Sequence, residues 1–353
     1  MRGKRGGALR VAQTVVMLLS ALSLSKSASA DVFNMPAGQT SVKFVTVGDP
    51  GNAAYPTTPG FGAVAYTYEM GEFDVTAAQY TQFLNAVART DPYGLYNVGM
   101  GTVVFGNMAV CGITQSGSSG NYAYSVVSAD ANFPVVFVDW GSAARFANWL
   151  TNGEPSTGVE NASTTESGSY ALNGATSESA LLAVTRSASA KYVIPTNNEW
   201  YKAAYYKGGS VNAGYWLYPT QSNSAPSNVL SATGTNNANY FTTKYTDPTN
   251  YLTSVGAFAA SPSPYGTFDQ GGDVFQWTED NEGSSRGNLG GAFGFGANLM
   301  QAGGTGFGNP LATDDHLGFR IAEVPEPSSV VMVIAVGVGL LRRHRGAQPK
   351  LKC

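Results

Sequence analysis

Hydrophobic periodicity in this chain is short-range, which limits the fold to short elements joined by long irregular stretches. Three segments carry helix signals. Thr76 and Gln79 fit a capping box, and Ala77, Tyr80, Phe83, Leu84 and Val87 follow on one face. Ala143, Phe146, Ala147 and Leu150 repeat at i, i+3, i+4 and i+7, with Gly153 placed to end that helix. Thr196 and Glu199 form a second box, and Trp200, Ala203 and Ala204 continue the face as far as Gly208 and Gly209. Residues 42–47 and 63–68 read as strands, alternating or β-branched and bounded by Gly and Pro. Residues 154–190, rich in Ser, Thr, Ala and Gly, read as a long surface insertion. Residues 219–250, rich in Asn, Thr, Ser and Pro, read as loop. No repeat of solenoid length is present and no linker marks a second domain, so the expectation is one α+β domain.

The two ends read as export devices. Arg2, Lys4, Arg5 and Arg10 precede the mostly apolar residues 11–24, and Ala28-Ser29-Ala30 supplies a small-residue cleavage site. Residues 1–30 are therefore expected to be a signal peptide, removed by signal peptidase before Asp31. At the other end, Pro325-Glu326-Pro327 precedes the apolar residues 330–341, and Arg342, Arg343, His344 and Arg345 follow. Twelve residues at about 1.5 Å rise cover roughly 18 Å of a ~30 Å hydrocarbon core. Ser328, Ser329 and snorkelling arginines close part of that gap, giving a short membrane helix in the inner membrane. The basic cluster is expected to stay cytoplasmic, with the domain outside. This tripartite end, residues 324–353, resembles the PEP-CTERM sorting signal, which implies cleavage by an exosortase-type transpeptidase and a final place at the cell surface or beyond it.

Charge and cysteine usage narrow the chemistry. Between Asp31 and Glu326 stand ten Lys or Arg and all 23 acidic residues, a net charge of −13. Such a domain repels nucleic-acid phosphates, which excludes DNA and RNA as partners. Cys353 lies in the tail, leaving Cys111 alone in residues 31–323, so no disulfide forms there. A chain of this size can bury enough core to stand without one. With His316 as the one histidine of that region, thiolate and imidazole metal sites are excluded too.

Six blocks, in order, carry a family resemblance. Residues 69–80 open the series with Asp74-Val75-Thr76. Pro134-Val135-Val136-Phe137-Val138-Asp139-Trp140 then leads into Arg145-Phe146-Ala147-Asn148-Trp149. Next come Ile194-Pro195-Thr196-Asn197-Asn198-Glu199-Trp200 and, after Tyr265-Gly266-Thr267-Phe268-Asp269, Gly272-Asp273-Val274-Phe275-Gln276-Trp277. Leu289-Gly290-Gly291-Ala292-Phe293 and Gly318-Phe319-Arg320-Ile321-Ala322 close it. Together they resemble the sulfatase-modifying factor or formylglycine-generating-enzyme family, over nearly all of residues 31–323. The resemblance implies a loop-rich, C-type-lectin-like α+β fold. Trp200 and Trp277 are expected as core anchors, and Arg145 either pairs with a carboxylate such as Asp139 or lies on the helix surface.

What the family implies about catalysis meets a gap. Formylglycine formation there uses two thiolates near the end of the domain to bind copper(I), a metal that selects soft ligands. Between Arg286 and Ala322 this chain has no cysteine; Met300 supplies one thioether. Cys111 stands outside every block and reads as a buried small hydrophobe. A sulfoxide-forming branch needs a histidine cluster that is absent as well. The chain is therefore not expected to be an enzyme of this type. The resemblance also implies a Ca²⁺ loop, with Asp273 and Gln276 standing for its Asn and Glu ligands, the hard oxygen donors such a cation takes; a solvated acidic loop is the plainer alternative.

The reading is thus an exported binding or structural module, with a polysaccharide or protein ligand in an exopolysaccharide or biofilm setting. Phe293, Phe295, Asn298 and His316 are its candidate contacts, because they replace the family's active-site wall. An enzyme of altered chemistry using Glu279 with Asp280, or Asp314 with Asp315, is the alternative, although adjacent carboxylates rarely face one another.

Overall fold

The computed structural model describes residues 42–325, apart from residues 210 and 212. Ala28, Ala30, Glu326, Pro327, Arg342 and Arg343 lie outside the described residues, and Pro325 is the last one inside. Among the described residues no helix is long and apolar enough to cross a membrane, and the expected span at residues 330–341 falls outside them.

All three helices form where local signals placed them. Helix α1 (Ala77–Val87) closes its capping box through Gln79 N to Thr76 Oγ1 at 3.2 Å and Thr76 N to Gln79 Oε1 at 2.8 Å. Helix α2 (Trp140–Thr151) is capped by Asp139, whose Oδ1 accepts from Ser142 N at 2.6 Å, and stops at Gly153 with φ +79°. A further short helix, α3 (Glu178–Ala183), follows. Helix α4 (Asn197–Tyr205) closes its own capping box, with Glu199 where α1 has Gln79, but ends three residues before Gly208. Tyr206 is diverted into an extended bridge with Tyr215, and Trp216 N donates to Tyr205 O.

Three small sheets hold these helices. In the first, β1 (Phe44–Val47), β2 (Tyr68–Gly71), β10 (Ala322–Glu323) and β5 (Tyr192–Val193) lie in the order β1-β2-β10-β5, all antiparallel. The second is a hairpin of β3 (Ile113–Ser116) and β4 (Ala123–Val126). The third runs β8-β7-β6-β9: β6 (Phe275–Glu282) pairs antiparallel with β7 (Ser285–Leu289) and parallel with β9 (Leu317–Gly318), while β8 (Gly306–Gly308) pairs with β7. The strand expected over residues 63–68 does not form; β2 starts at Tyr68. The Val64 N–H is taken by Asn52 Oδ1 and its carbonyl by Gly51 N, so side-chain and turn contacts replace a ladder.

The main core joins α1 and α2 through Tyr80, Phe83, Phe146 and Trp149, with Phe319 edge-on to Phe146 at 5.4 Å. Each such buried ring contributes roughly 1.5–3 kcal/mol. Trp277 belongs to this core, and Trp200 anchors a second cluster with Tyr201, Tyr205 and Leu289. Residues 154–190 are no surface insertion. Glu166, Tyr170, Leu172 and Leu181 are buried there, and Asn148 on α2 binds Thr165 O, Tyr170 O and Tyr170 N. Arg145 is buried and does pair with a carboxylate, Glu166 at 2.7 Å rather than Asp139. The polar composition of the segment is matched by polar partners inside the fold.

Candidate functional site

The turn after β7 sets the residues that face outward. Gly290 takes φ +103°, and a Cβ there would lie 2.9 Å from Gln270 O, so only glycine fits. The chain then buries Phe293, which is 2 % exposed, against Tyr251 and Tyr245, its N–H donating to Asp273 O at 2.9 Å. Phe293 is a core residue and cannot serve as a contact at the surface. Phe295, two residues on, is 37 % exposed. Its ring meets Phe275 at 5.1 Å and His316 at 5.2 Å. Parallel pairing of β6 with β9 brings Phe275 and His316 together, with Phe275 N donating to His316 O at 2.8 Å. Asn298 is exposed on the short 3-10 turn Ala297–Met300 that follows.

His316 is half-buried rather than free in a loop, and Nδ1 lies 2.9 Å from Asp315 Oδ1. Asp315 Oδ2 accepts from the main-chain N–H groups of Met108 and Ala109 at 2.6 and 3.1 Å. Burial raises the Asp315 carboxyl, but the His316 ring and these two donors outweigh it and hold the group below its usual range. Phe275 and the Met108 contact escaped the sequence reading. The parallel β6–β9 pair joins residues about forty apart, which no local signal reveals.

Asp273 and Gln276 do not fit a Ca²⁺ loop. Asp273 Oδ1 accepts from Asn239 Nδ2 and Thr253 N, and Oδ2 from Thr253 Oγ1 at 2.8 Å. Burial, then Asp269, raises its carboxyl well above the usual range, so it prefers its proton. Gln276 Oε1 accepts from Trp200 Nε1 at 2.6 Å and from Arg320 Nε at 2.7 Å. A divalent cation on that oxygen would sit against a guanidinium. Among the described residues no group of three or more His, Cys, Asp and Glu is placed to hold a metal ion.

The carboxylates of Glu279 and Asp280, one pair of the alternative reading, are occupied as well. Glu279 Oε2 binds Arg186 Nε at 2.6 Å and the Tyr170 hydroxyl at 3.0 Å. Arg186 also forks onto both oxygens of Glu199, at 2.8 and 2.9 Å. Asp280 Oδ2 accepts from Asn197 N at 2.5 Å, serving the first turn of α4. Arg186 was missed in the sequence, although two capped or buried glutamates in so acidic a domain call for a cation. A groove of ≈ 440 Å³ runs over residues 171–184 and is lined by Leu172, Asn173, Thr176, Ser177 and small apolar side chains, with no titratable group.

Short capped helices, three split sheets and a glycine-turned surface over a buried ion network define a loop-rich α+β domain. The chain belongs to the family of the sulfatase-modifying factor enzyme 1-like domain, whose sequence profile matches residues 26–324. No curated protein matches it in sequence. Among solved structures it is similar to CarF, at 18 % identity over 80 % of this chain and 98 % of that one, with a TM-score of 0.45. PvdO from Pseudomonas aeruginosa is similar at 17 % identity over 80 % and 92 %, with a TM-score of 0.45. Treponema denticola variable protein 1 is similar at 17 % identity over 82 % and 98 %, with a TM-score of 0.44.

Proposed function

We propose that this chain is an exported binding or structural module built on the sulfatase-modifying factor frame, not a formylglycine-forming oxidase. One observation carries the reading: residues 286–322 contain no cysteine, and the thiol of Cys111 is fully buried. Burial pushes that thiol up to about 12, so it stays protonated and is a poor ligand or nucleophile. Copper(I) requires soft donors, and a lone inaccessible thiol does not supply a pair. The contacts proposed for a ligand are Phe295, Asn298 and His316, on the surface beside β6 and β9.

The ends complete the proposal. Residues 1–30 direct export, and residues 324–353 are a PEP-CTERM-type sorting segment, held in the inner membrane until an exosortase-type enzyme releases the domain to the surface. The composition of the two ends supports this part: a basic start, a small-residue triplet, Pro325-Glu326-Pro327, and Arg342 with Arg343. An exopolysaccharide setting follows from that sorting class.

Incubating the full chain with a cysteine-containing sulfatase peptide, copper and oxygen tests the central claim. Mass spectrometry should find the peptide unchanged, and a formylglycine product overturns the reading. Amino-terminal sequencing of the exported protein should begin at Asp31.

A further inference from the structure

The segment from Asn97 to Ala109 exposes more apolar surface than a solvent loop can justify. Val98 is 59 % exposed, Val103 61 %, Met108 41 %, and Phe105 projects its whole ring into water. The segment is held firmly, so these side chains are presented rather than left loose. Met108 and Ala109 are bonded to Asp315, Asn97 Nδ2 donates to Thr313 Oγ1 at 3.2 Å, and Cys111 N donates to Met100 O at 3.0 Å. The Tyr245 hydroxyl reaches Met108 Sδ at 3.4 Å. Asp315 and His316 join this segment to Phe295, and Leu311, two residues before Thr313, is exposed as well. Exposed apolar side chains on a segment tethered in this way mark an interaction surface.

Charge selects the partner. No Lys or Arg occurs between Arg89 and Arg145, nor between Arg286 and Arg320, the two stretches that build this face. Of the carboxylates there, Asp130 and Asp314 are partly exposed, Asp315 is buried and paired with His316, and Lys244 is the one cation that flanks Tyr245 in sequence. An anionic lipid surface or acidic polysaccharide is repelled there. Valine, methionine and phenylalanine side chains offer a sugar's hydroxyls no hydrogen bonds. Two copies of the same face repel one another as well.

We propose that residues 98–108, with Phe295 and Leu311, form a docking face for a polypeptide that carries an apolar anchor between lysine or arginine side chains. The proposal deepens the binding-module reading by naming the chemistry of its ligand, and it rests on that reading.

An amphipathic leucine–lysine peptide is the probe, titrated by fluorescence anisotropy against the full-length chain, with a leucine–glutamate peptide as control. The basic peptide should bind and the acidic one should not, and added salt should weaken the complex. Replacing Phe105→Ser together with Val103→Ser should weaken binding by about tenfold or more with an unchanged melting midpoint, since exposed anchors are central to such contacts. No binding by the unaltered chain, equal binding by the double variant, or equal binding of both peptides overturns the proposal. So does dimerisation in sedimentation that Phe105→Ser abolishes, or capture by phosphatidylglycerol vesicles with the same dependence on Phe105. A formylglycine product would sink the module reading without touching these titrations, so the two failures are distinguishable.

Discussion

Glu160 is a buried carboxyl without a counterpart, and its titration should be legible in the stability of the whole domain. It is 8 % exposed, and neither carboxylate oxygen has a hydrogen-bond partner. Burial, then the negative charges of Asp91 and Glu166, raises it from 4.5 to about 8, against a partial pull from Arg145. A folded-state value above the unfolded one means the folded protein holds the proton more tightly. That stabilisation is fully present below about pH 4.5 and is lost as pH rises through about 8. At about 1.4 kcal/mol per pH unit, and allowing for partial solvent access, the loss is on the order of 4 kcal/mol. In a domain of this size that corresponds to a melting shift on the order of 10 °C. Glu160→Gln keeps the shape and removes the charge. Urea unfolding of both proteins across this range should show near-equal stability at the acid end and a widening advantage for the variant toward the alkaline end. The other raised carboxyls, such as Asp74 at about 8, are common to both proteins and cancel in the difference. Parallel curves would refute the reasoning, because they would mean that Glu160 is solvated or paired when folded.

The neighbours Phe293 and Phe295 should separate cleanly: Phe293→Ala should cost about 3–5 kcal/mol in urea unfolding, and Phe295→Ala less than about 1 kcal/mol. Arg186→Met leaves Glu199 and Glu279 facing each other without their shared cation; unfolding midpoints should report a loss of about 3–5 kcal/mol. EDTA should leave the melting midpoint unchanged, since the oxygens of Asp273 and Gln276 already have protein donors; a drop would show that a cation displaces them.

The parts of the fold legible in the sequence were those whose causes are local. A Thr-x-x-Gln or Thr-x-x-Glu box states its own geometry, so Thr76 and Thr196 marked their helices before any packing was known. The solitary Cys111 was legible too, because chemistry alone says what one thiol cannot do. Residues 63–68 misled because alternation encodes a face, not a partner, and Asn52 took the bond a neighbouring strand would have made. Residues 154–190 misled for the converse reason: Ser, Thr and Asn there look solvated until Arg145, Asn148 and the main chain are seen to satisfy them.

The candidate surface divides along the same line. In Phe293-Gly294-Phe295 the two rings are chemically identical, and what buries one and exposes the other is the glycine turn at Gly290 and Gly291 together with the bond from Phe293 N to Asp273 O. Composition cannot rank them, whereas backbone geometry does so at once. The loop that carries Phe105 is a stronger case, because its meaning depends on Asp315, some two hundred residues away, pinning the main chain of Met108 and Ala109. An untethered loop with four large apolar side chains would fold them inward to escape water. Held as it is, it keeps them in water, which is what a surface built for presentation requires. Substituting Asp315→Asn should therefore loosen the face, raising hydrogen exchange at Met108 and Ala109 while the distant core around Phe146 stays protected. Unchanged exchange at those two amides would mean that the loop holds its shape without the tether, and the argument from presentation would fail.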